Sequence, residues 1–200
     1  LATVRSHAEA TLQRVEREEN RQALRSMIRA IDESSRAAGQ LLDHAMITFR
    51  ADNLDRQDID LVVLANDLVM RLMPIAEMRD VELKLDASSS VPVTGDMILL
   101  QNAVRNLVDN ALKYAPQESV VRIVVAAAPK PLISIIDEGE GFPIEEINGL
   151  ADRFARGSNS RAIIGSGLGL TIAREVAEAH GGSLSLSNDL KGGACATFSF

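Results

Sequence analysis

The first fifty residues restrict the fold most, because they contain no proline and a single glycine, Gly39. Their apolar side chains recur at steps of three and four, the spacing that places side chains on one face of an α-helix. Two such series are separated by the charged stretch 16–21, which suits a tight turn between antiparallel helices. The pattern therefore predicts a helical hairpin over residues 1–50.

The second helix of this hairpin is longer than the first when both are counted outward from a turn near residue 18. Ala38, Leu42, Ala45 and Phe49 are then left without a partner in the chain. We therefore expect the first helix to begin before Leu1. Because a lone two-helix hairpin buries little apolar surface, we also expect it to form a homodimeric four-helix bundle.

Composition excludes several functions for the whole chain. Twenty-eight acidic and 21 basic residues give a net charge of −7, which would repel a nucleic-acid backbone. The single cysteine, Cys195, rules out an internal disulfide and a thiolate metal cage. A reducing, cytoplasmic compartment is the natural expectation.

After a polar linker at residues 51–58, strand and helix patterns alternate, so residues 59–200 are predicted to form an α/β sandwich. The complete chain is thus expected to be α+β. Strands are predicted at 59–61, 81–85, 119–128, 132–136, 183–187 and 194–200, with helices from 62 to about 79, at 97–114 and at 167–180. The Gly-rich segment 139–165 is long for a loop, which favours a mobile lid.

Three groups of residues in this domain could bind a nucleotide. Asn106, Asn110 and Lys113 share one helix face, where amide oxygens can bind Mg²⁺ and the lysine can neutralise phosphate. The alternative for this group is an ordinary solvated face. Asp137 follows a strand within DEGEG and could accept from a purine amine, although a plain Asp-Gly turn has the same sequence.

The third group is Gly165-Ser166-Gly167-Leu168-Gly169-Leu170, directly before a predicted helix. Backbone N–H groups at a helix N-terminus suit an anionic phosphate. The motif is not a P-loop, since no Lys-Ser or Lys-Thr pair follows, and Leu170 occupies the third glycine position of the dinucleotide fingerprint.

Together these motifs make the chain resemble the sensor histidine kinases of two-component systems. LLQNAVRNLVDNALKYAP resembles their N box, DEGEGFP the G1 box, DRFARG the F box and GSGLGLTIAREVAEAHGG the G2 box, and the likeness spans residues 58–200. The resemblance implies an ATP-binding domain that passes the γ-phosphoryl group to a histidine and onward to an aspartate of a response regulator. ATP and Mg²⁺ are the implied cofactors.

The resemblance also implies individual roles. Asn110 would hold Mg²⁺ with Asn106 beside it, and Arg156 would approach the γ-phosphate from the lid. Asn106, Lys113 and Arg156 would serve the transfer step. Ala151 stands where the family commonly has a second F-box aromatic residue. The implied nucleotide contacts are Asn106, Asn110, Lys113 (phosphate), Tyr114 (covering adenine), Asp137 (the adenine amine), Gly139, Gly141, Phe154 (lid anchor), Arg156, and the hinge residues Gly165, Gly167, Leu168 and Gly169.

The hairpin resembles the dimerisation and phosphotransfer domain of the same family, but the acceptor-histidine box is absent. Aligning the hairpins places that histidine before Leu1. His7 is the rival, because Thr11 lies four residues on, yet Ala8 replaces the acid and Leu12 the proline. We expect this chain to bind ATP without phosphorylating itself, to dimerise, to meet a response-regulator receiver domain, and to be the cytoplasmic part of a membrane-anchored protein.

Two alternatives remain open: an ATPase of the gyrase, MutL or Hsp90 kind, which would need glutamate at position 106, and a degenerate kinase acting as a scaffold. Single residues carry structural expectations. The sequence favours a surface position for His44, a partly charged helix cap for His180, a core position for Cys195, and core packing for Met70 and Met73 together with Leu64, Leu68 and Leu72.

Overall fold

The computed structural model describes residues 20, 22, 24–28, 30–31, 39, 50, 53–87, 89–152, 155, 167–190 and 192–200. The described residues between 20 and 50 are helical, as the apolar pattern predicts. Apart from Leu24, Ile28 and Ile31, the predicted hairpin seam lies outside the described residues, as do the turn near residue 18, His7 and His44. The hairpin and its dimer therefore stay predictions.

The folded part beyond residue 53 is a sheet covered by helices. Its elements are β1 (Arg56–Asp60), α1 (Leu61–Met78), β2 (Val81–Ala87), β3 (Pro92–Asp96), α2 (Met97–Tyr114), β4 (Ser119–Ala126), β5 (Leu132–Ile136), a 3₁₀ turn (Ile147–Gly149), α3 (Gly169–Ala179), β6 (Ser183–Asn188) and β7 (Ala194–Ser199). Five strands form one sheet in the order β2-β4-β5-β7-β6, and β1 pairs with β3 in a two-stranded sheet. Only β2 and β4 run parallel within the larger sheet; its other pairs are antiparallel.

The hydrophobic core lies between the three helices and one face of the larger sheet. Strand β4 shows the alternation: Ser119, Val121, Ile123 and Val125 are buried, while the residues between them are half-exposed. Leu61, Leu99 and Phe198 are among the fully buried side chains. Within the described residues, no helix combines the length and apolar composition needed to cross a bilayer.

The sequence pattern locates most of these elements. Helix α2 and strand β5 have the predicted bounds, and β4 and β5, which follow each other closely in sequence, form an antiparallel hairpin. Strand β3 was not predicted, because Pro92 and Gly95 after a serine run are typical of a turn. Strand β1 starts at Arg56, inside the predicted linker, and α3 starts at Gly169 rather than Gly167.

Two core predictions are wrong. Met70 and Met73 are 66% and 40% exposed, although Leu64, Leu68 and Leu72 on the same helix are buried. Helix α1 is apolar around most of its circumference, so periodicity alone does not show which apolar side chains face the sheet. Cys195 is half-buried rather than in the core, because Ala194, Ala196 and Phe198 take the core-facing positions of β7.

His180 joins the ends of two helices instead of merely capping one. Its Nε2 accepts a hydrogen bond from the backbone N–H of Asp96 (2.9 Å), and its Nδ1 lies 2.7 Å from the carbonyl oxygen of Val176. Since Nε2 must accept, the proton is on Nδ1 and the ring is neutral. Burial lowers the pKa of His180, so the predicted partial charge is wrong.

We expect the free energy of unfolding to fall between pH 8 and pH 5.5 partly through His180. Because burial depresses the folded-state pKa of His180, with a smaller effect from Arg56 and opposing effects from the Val176 hydrogen bond and Asp96, the unfolded chain binds the proton more tightly. The histidine's contribution is complete above the unfolded pKa of about 6.5 and is lost as the pH falls through the folded value.

Urea unfolding of the wild-type chain and of His180→Gln at several pH values checks this expectation. Glutamine keeps an acceptor and cannot be protonated in this range, so its unfolding midpoint should depend less on pH. His7 and His44 remain in both proteins, and the difference between the two profiles therefore isolates His180. Parallel profiles would contradict the assignment.

Candidate functional site

Helix α2 presents the first predicted group of residues. Its N-terminus is capped by Asp96, and Asn106, Asn110 and Lys113 are half-exposed along it. The Asn106 Nδ2 donates to the carbonyl oxygen of Asn102 (2.8 Å), which fixes the amide and leaves its Oδ1 without a donor from the described residues. Asn110 makes no hydrogen bond to the described part of the chain. With respect to the described residues, both amide oxygens are available to a ligand.

Asp137 stands at the end of β5 and is only 6% exposed. Its Oδ1 accepts from the backbone N–H groups of Gly139 (2.8 Å) and Ala194 (3.2 Å). None of the described groups donates to Oδ2, although buried acceptors are normally paired. Burial raises the pKa of Asp137, and the two backbone hydrogen bonds partly oppose that effect. A buried carboxylate with one unpaired oxygen is a natural acceptor for a ligand N–H.

The loop after Asp137 runs directly against the end of α2. A Cβ placed on Gly139 would lie 2.7 Å from the carbonyl oxygen of Tyr114 and 2.9 Å from the Asp137 Oδ1. Gly139 is therefore required for close approach, and the contact joins the first and second predicted groups. The Lys113 Nζ lies 5.1 Å from the centre of the Tyr114 ring, within cation–π range.

The third predicted group brings the N-terminus of α3 beside Asn106. Gly167 has a φ of +74°, which favours glycine, and Leu168 is buried at 3% exposure. A Cβ on Gly169 would lie 3.4 Å from the Asn106 Oδ1. Leu168 gives this helix no side-chain cap, so the positive end of its dipole can take an anion.

Asp152, near the end of the continuously described part of the lid, is bonded to the first half of α3. The Arg174 guanidinium pairs with the Asp152 carboxylate at 2.8 Å, and the Thr171 hydroxyl donates to the Asp152 carbonyl oxygen at 3.1 Å. Ala151, which the resemblance aligns with a second F-box aromatic residue, is buried. Phe154, Arg156 and Gly165 lie outside the described residues, so their predicted roles stay predictions.

The side chains of this site could hold Mg²⁺ only together with a phosphate ligand. Among the described residues, no group of three or more histidine, cysteine, aspartate or glutamate side chains is placed to hold a metal ion. The Asn110 amide oxygen could supply one ligand while substrate phosphates and water supply the others, which is how Mg²⁺ is usually held beside nucleotides. The residues present therefore fit a magnesium ion that arrives with a phosphate ligand.

Sequence reasoning predicted strands β6 and β7 but missed that the hairpin they form makes one side of the Asp137 site. Ala194 bonds both the backbone and the side chain of Asp137, and Asn188 bonds the backbone of Phe142. The available signal was an asparagine before the Gly192-Gly193 turn. Pattern alone does not show which loop such a turn contacts.

Comparison with known proteins identifies the domain built around these three groups. A family model described as "Histidine kinase-, DNA gyrase B-, and HSP90-like ATPase" matches residues 95–200, more than half of the chain. The chain belongs to this ATPase family. The predicted resemblance to sensor histidine kinases and the predicted α+β fold class are both confirmed.

Individual members of this family support the assignment. Sensor protein QseC of Salmonella typhi is 33% identical over 172 residues, which cover 86% of this chain and 37% of QseC. The solved cytoplasmic segment of histidine kinase QseC superposes with a TM-score of 0.63 at 26% identity, over 82% of this chain and 93% of that one. The solved ATP-binding domain of PrrB from Mycobacterium tuberculosis gives a TM-score of 0.60 at 26% identity, over 73% and 96%. The chain thus spans about 37% of the length of QseC, one of its curated relatives.

Proposed function

We propose that this chain is the ATP-binding catalytic part of a sensor histidine kinase. The observation that carries the proposal is Asp137, a buried carboxylate whose Oδ1 is fixed by two backbone donors and whose Oδ2 has no donor in the described residues. That arrangement suits the amino group of adenine. The solved relative PrrB, whose domain is named for ATP binding, supports the choice of ligand.

Each group of residues would then do one task. Asp137 accepts from the adenine amine, and Asn110 supplies an amide oxygen to Mg²⁺, which neutralises phosphate charge when bound. Lys113 adds positive charge near the phosphates, with Tyr114 beside the adenine. Gly167, Leu168 and Gly169 form the hinge at the N-terminus of α3, and Arg156 with Phe154 serves the lid.

The proposed reaction moves the γ-phosphoryl group to a histidine. A neutral imidazole nitrogen forms the P–N bond, the bond to the β,γ-bridging oxygen breaks, and the ring loses its proton as ADP leaves. This chain's contribution is positioning and charge neutralisation, which account for most of the acceleration in such transfers. Onward transfer to an aspartate of a response-regulator receiver domain completes the proposed pathway.

We further propose that the chain does not phosphorylate itself. Neither His7, His44 nor His180 is followed by an acid and then a Thr-Pro or Asn-Pro step, which is the family's acceptor pattern. His180 is also bonded through both ring nitrogens. Dimerisation through the hairpin, a cytoplasmic location and a membrane-anchored parent protein belong to the same proposal.

Hydrolysis is disfavoured as the alternative activity. The gyrase- and Hsp90-like relatives would need a glutamate base where this chain has Asn106, and the Asn106 Nδ2 is already committed to the Asn102 carbonyl oxygen. An amide cannot remove a proton from water. Steady-state phosphate release by the isolated chain would revive that alternative.

The proposal is tested by measuring the binding of a fluorescent ATP analogue with and without Mg²⁺. We expect binding that strengthens with Mg²⁺, and a loss of about tenfold to a hundredfold for Asn110→Ala because one ligand oxygen is removed. Asn66→Ala is the matched control, since Asn66 is exposed on α1. Wild-type protein that binds no nucleotide would overturn the proposed function.

The acceptor assignment needs a second measurement. We expect no acid-labile phosphate on the chain after incubation with γ-labelled ATP and Mg²⁺. Label that appears on the wild-type chain and disappears in His7→Ala would make His7 the acceptor. Labelling requires bound ATP, so the absence of label tests the acceptor assignment only in protein that has first been shown to bind the ATP analogue.

A further inference from the structure

The side chain of Asn188 holds the start of the lid by two hydrogen bonds. Its Oδ1 accepts from the backbone N–H of Phe142 (2.7 Å), and its Nδ2 donates to the carbonyl oxygen of the same residue (2.9 Å). A carboxamide is one of the few side chains that can both accept from and donate to a single peptide backbone. Asn188 belongs to none of the motifs that carry the family resemblance.

The partner of Asn188 across the β6–β7 ladder holds the other end of the same loop. Asn188 pairs with Ala194 at the turn end of this ladder. Ala194 accepts from the backbone N–H of Asp137 (3.0 Å) and donates to the Asp137 Oδ1 (3.2 Å). Both ends of the segment 137–142 are therefore fixed to one cross-strand pair.

The middle of this segment is pressed against the same hairpin. Gly141 has a φ of +77°, and a Cβ there would lie 2.6 Å from the Gly192 carbonyl oxygen and 2.8 Å from the Asn188 Oδ1. Any side chain at position 141 would push the loop away from Asn188. The second glycine of DEGEG is thus explained by contact with the β6–β7 hairpin.

We propose that Asn188 is a positioning residue for the nucleotide base, an inference that rests on the proposed ATP-binding function. By holding Phe142, it fixes the loop that begins at Asp137 and leads into the lid. Without it, the Asp137 contacts to Gly139 and Ala194 would remain, but the loop would have to be ordered when nucleotide binds. Ordering a loop on binding weakens affinity, whereas a preordered loop avoids that cost.

The test compares ATP with inorganic tripolyphosphate, which has the phosphates of ATP and no base. In the presence of Mg²⁺, we expect Asn188→Ala to weaken ATP binding about threefold to tenfold, as the loss of one or two partly exposed hydrogen bonds would. Tripolyphosphate binding should be unchanged. Asn66→Ala serves again as the exposed control and should affect neither ligand.

A second variant separates positioning from a general loss of structure. Asn188→Gln retains both the acceptor and the donor on a side chain that is one methylene longer, so its ATP affinity should lie between those of the wild type and Asn188→Ala. Hydrogen exchange at the Phe142 amide should accelerate in Asn188→Ala more than in Asn188→Gln. The thermal midpoints of both variants should match that of the Asn66→Ala control.

The outcomes distinguish this inference from the function on which it rests. If the wild type binds ATP and both Asn188 variants bind it as tightly as the wild type does, the inference is overturned and the proposed function is not. Equal weakening of ATP and tripolyphosphate would also overturn it, because the effect would then not concern the base. Wild-type protein that binds neither ligand would overturn the proposed function, and the inference with it.

Discussion

Replacing Asp137 with asparagine is expected to reduce ATP affinity by at least a hundredfold without lowering the stability of the fold. The Oδ2, which has no donor among the described residues, becomes an NH₂ group, so the acceptor that the proposed function assigns to the adenine amine is replaced by a donor. Hydrogen bonds to a charged partner contribute about 1.5–3 kcal/mol, and the new donor–donor contact adds to that loss. Each 1.4 kcal/mol is about tenfold in affinity.

Stability should be equal or higher in Asp137→Asn at neutral pH. Burial raises the folded-state pKa of Asp137 above its ordinary value of 3.8, so the folded chain holds the proton more tightly than the unfolded chain. The contribution of the protonated Asp137 to stability is therefore lost as the pH rises from the unfolded-state pKa through the folded-state pKa. An amide carries no charge to desolvate, and its Oδ1 still accepts from Gly139 and Ala194.

Calorimetric titration with ATP and thermal unfolding check the two halves of this prediction, with Asp67→Asn on the exposed face of α1 as the control. Inosine triphosphate adds a sharper comparison, because it has an oxygen where ATP has the amino group. The ratio of inosine triphosphate to ATP affinity should rise in Asp137→Asn. If the ATP affinity of Asp137→Asn is within threefold of the wild-type affinity, Asp137 does not contact the nucleotide.

Of the substitutions proposed here, removal of the Asp96 side chain should lower the free energy of unfolding most. Asp96 is 1% exposed, and its Oδ1 accepts from the backbone N–H groups of Ile98 (3.0 Å) and Leu99 (3.2 Å) at the start of α2. Both carboxylate oxygens lie 3.1 Å from one Arg50 nitrogen, and Asp55 donates its backbone N–H to Oδ2 (3.3 Å). One carboxylate therefore serves as a helix cap and as half of an ion pair.

We expect Asp96→Ala to lose about 2–4 kcal/mol, which combines a lost helix cap with a broken charged contact. The lower part of the usual range for buried ion pairs applies, because the Arg50 side chain is 31% exposed and can be hydrated when its partner is lost. Asp96→Asn keeps the cap and should lose less.

Urea unfolding at pH 7.5 measures these losses against Asp60→Ala. Asp60 caps α1 in the same way, with its Oδ1 accepting from Val62 (2.9 Å) and Val91 (3.0 Å), but no ion pair of its carboxylate is found among the described residues. The excess loss in Asp96→Ala over Asp60→Ala reports the combined contribution of Arg50, the Asp55 hydrogen bond and the deeper burial of Asp96. Equal losses would show that these three together contribute nothing to folding.

The elements that could be predicted from sequence are those determined by residues close together in the chain. Helix α2 was located from its apolar period and the following Pro116, and β5 from its β-branched run. Asp137, Asn106 and Asn110 were found because they lie inside contiguous motifs, and the structure brings the neighbouring glycines against them. Their roles toward ATP stay predictions until nucleotide binding is measured.

The features that escaped prediction depend on contacts between distant residues. Strand β3 exists because β1 pairs with it, which compensates for Pro92 and Gly95. His180 is neutral because it packs against Gly95 and accepts from Asp96, residues 84 positions or more away in sequence. Asn188 acts on Phe142 through a hairpin turn. Local patterns contain no information about such pairings.

The dependence of Asp137 on Ala194 has a consequence for synthesis of the chain. The carboxylate leaves the ribosome 57 residues before the backbone group that completes its hydrogen bonding. All three motifs that carry the family resemblance are therefore translated before Asp137, the proposed adenine acceptor, can be held in place. A nascent chain stopped just short of Ala194 would contain every one of these motifs and still lack the completed hydrogen bonding of Asp137.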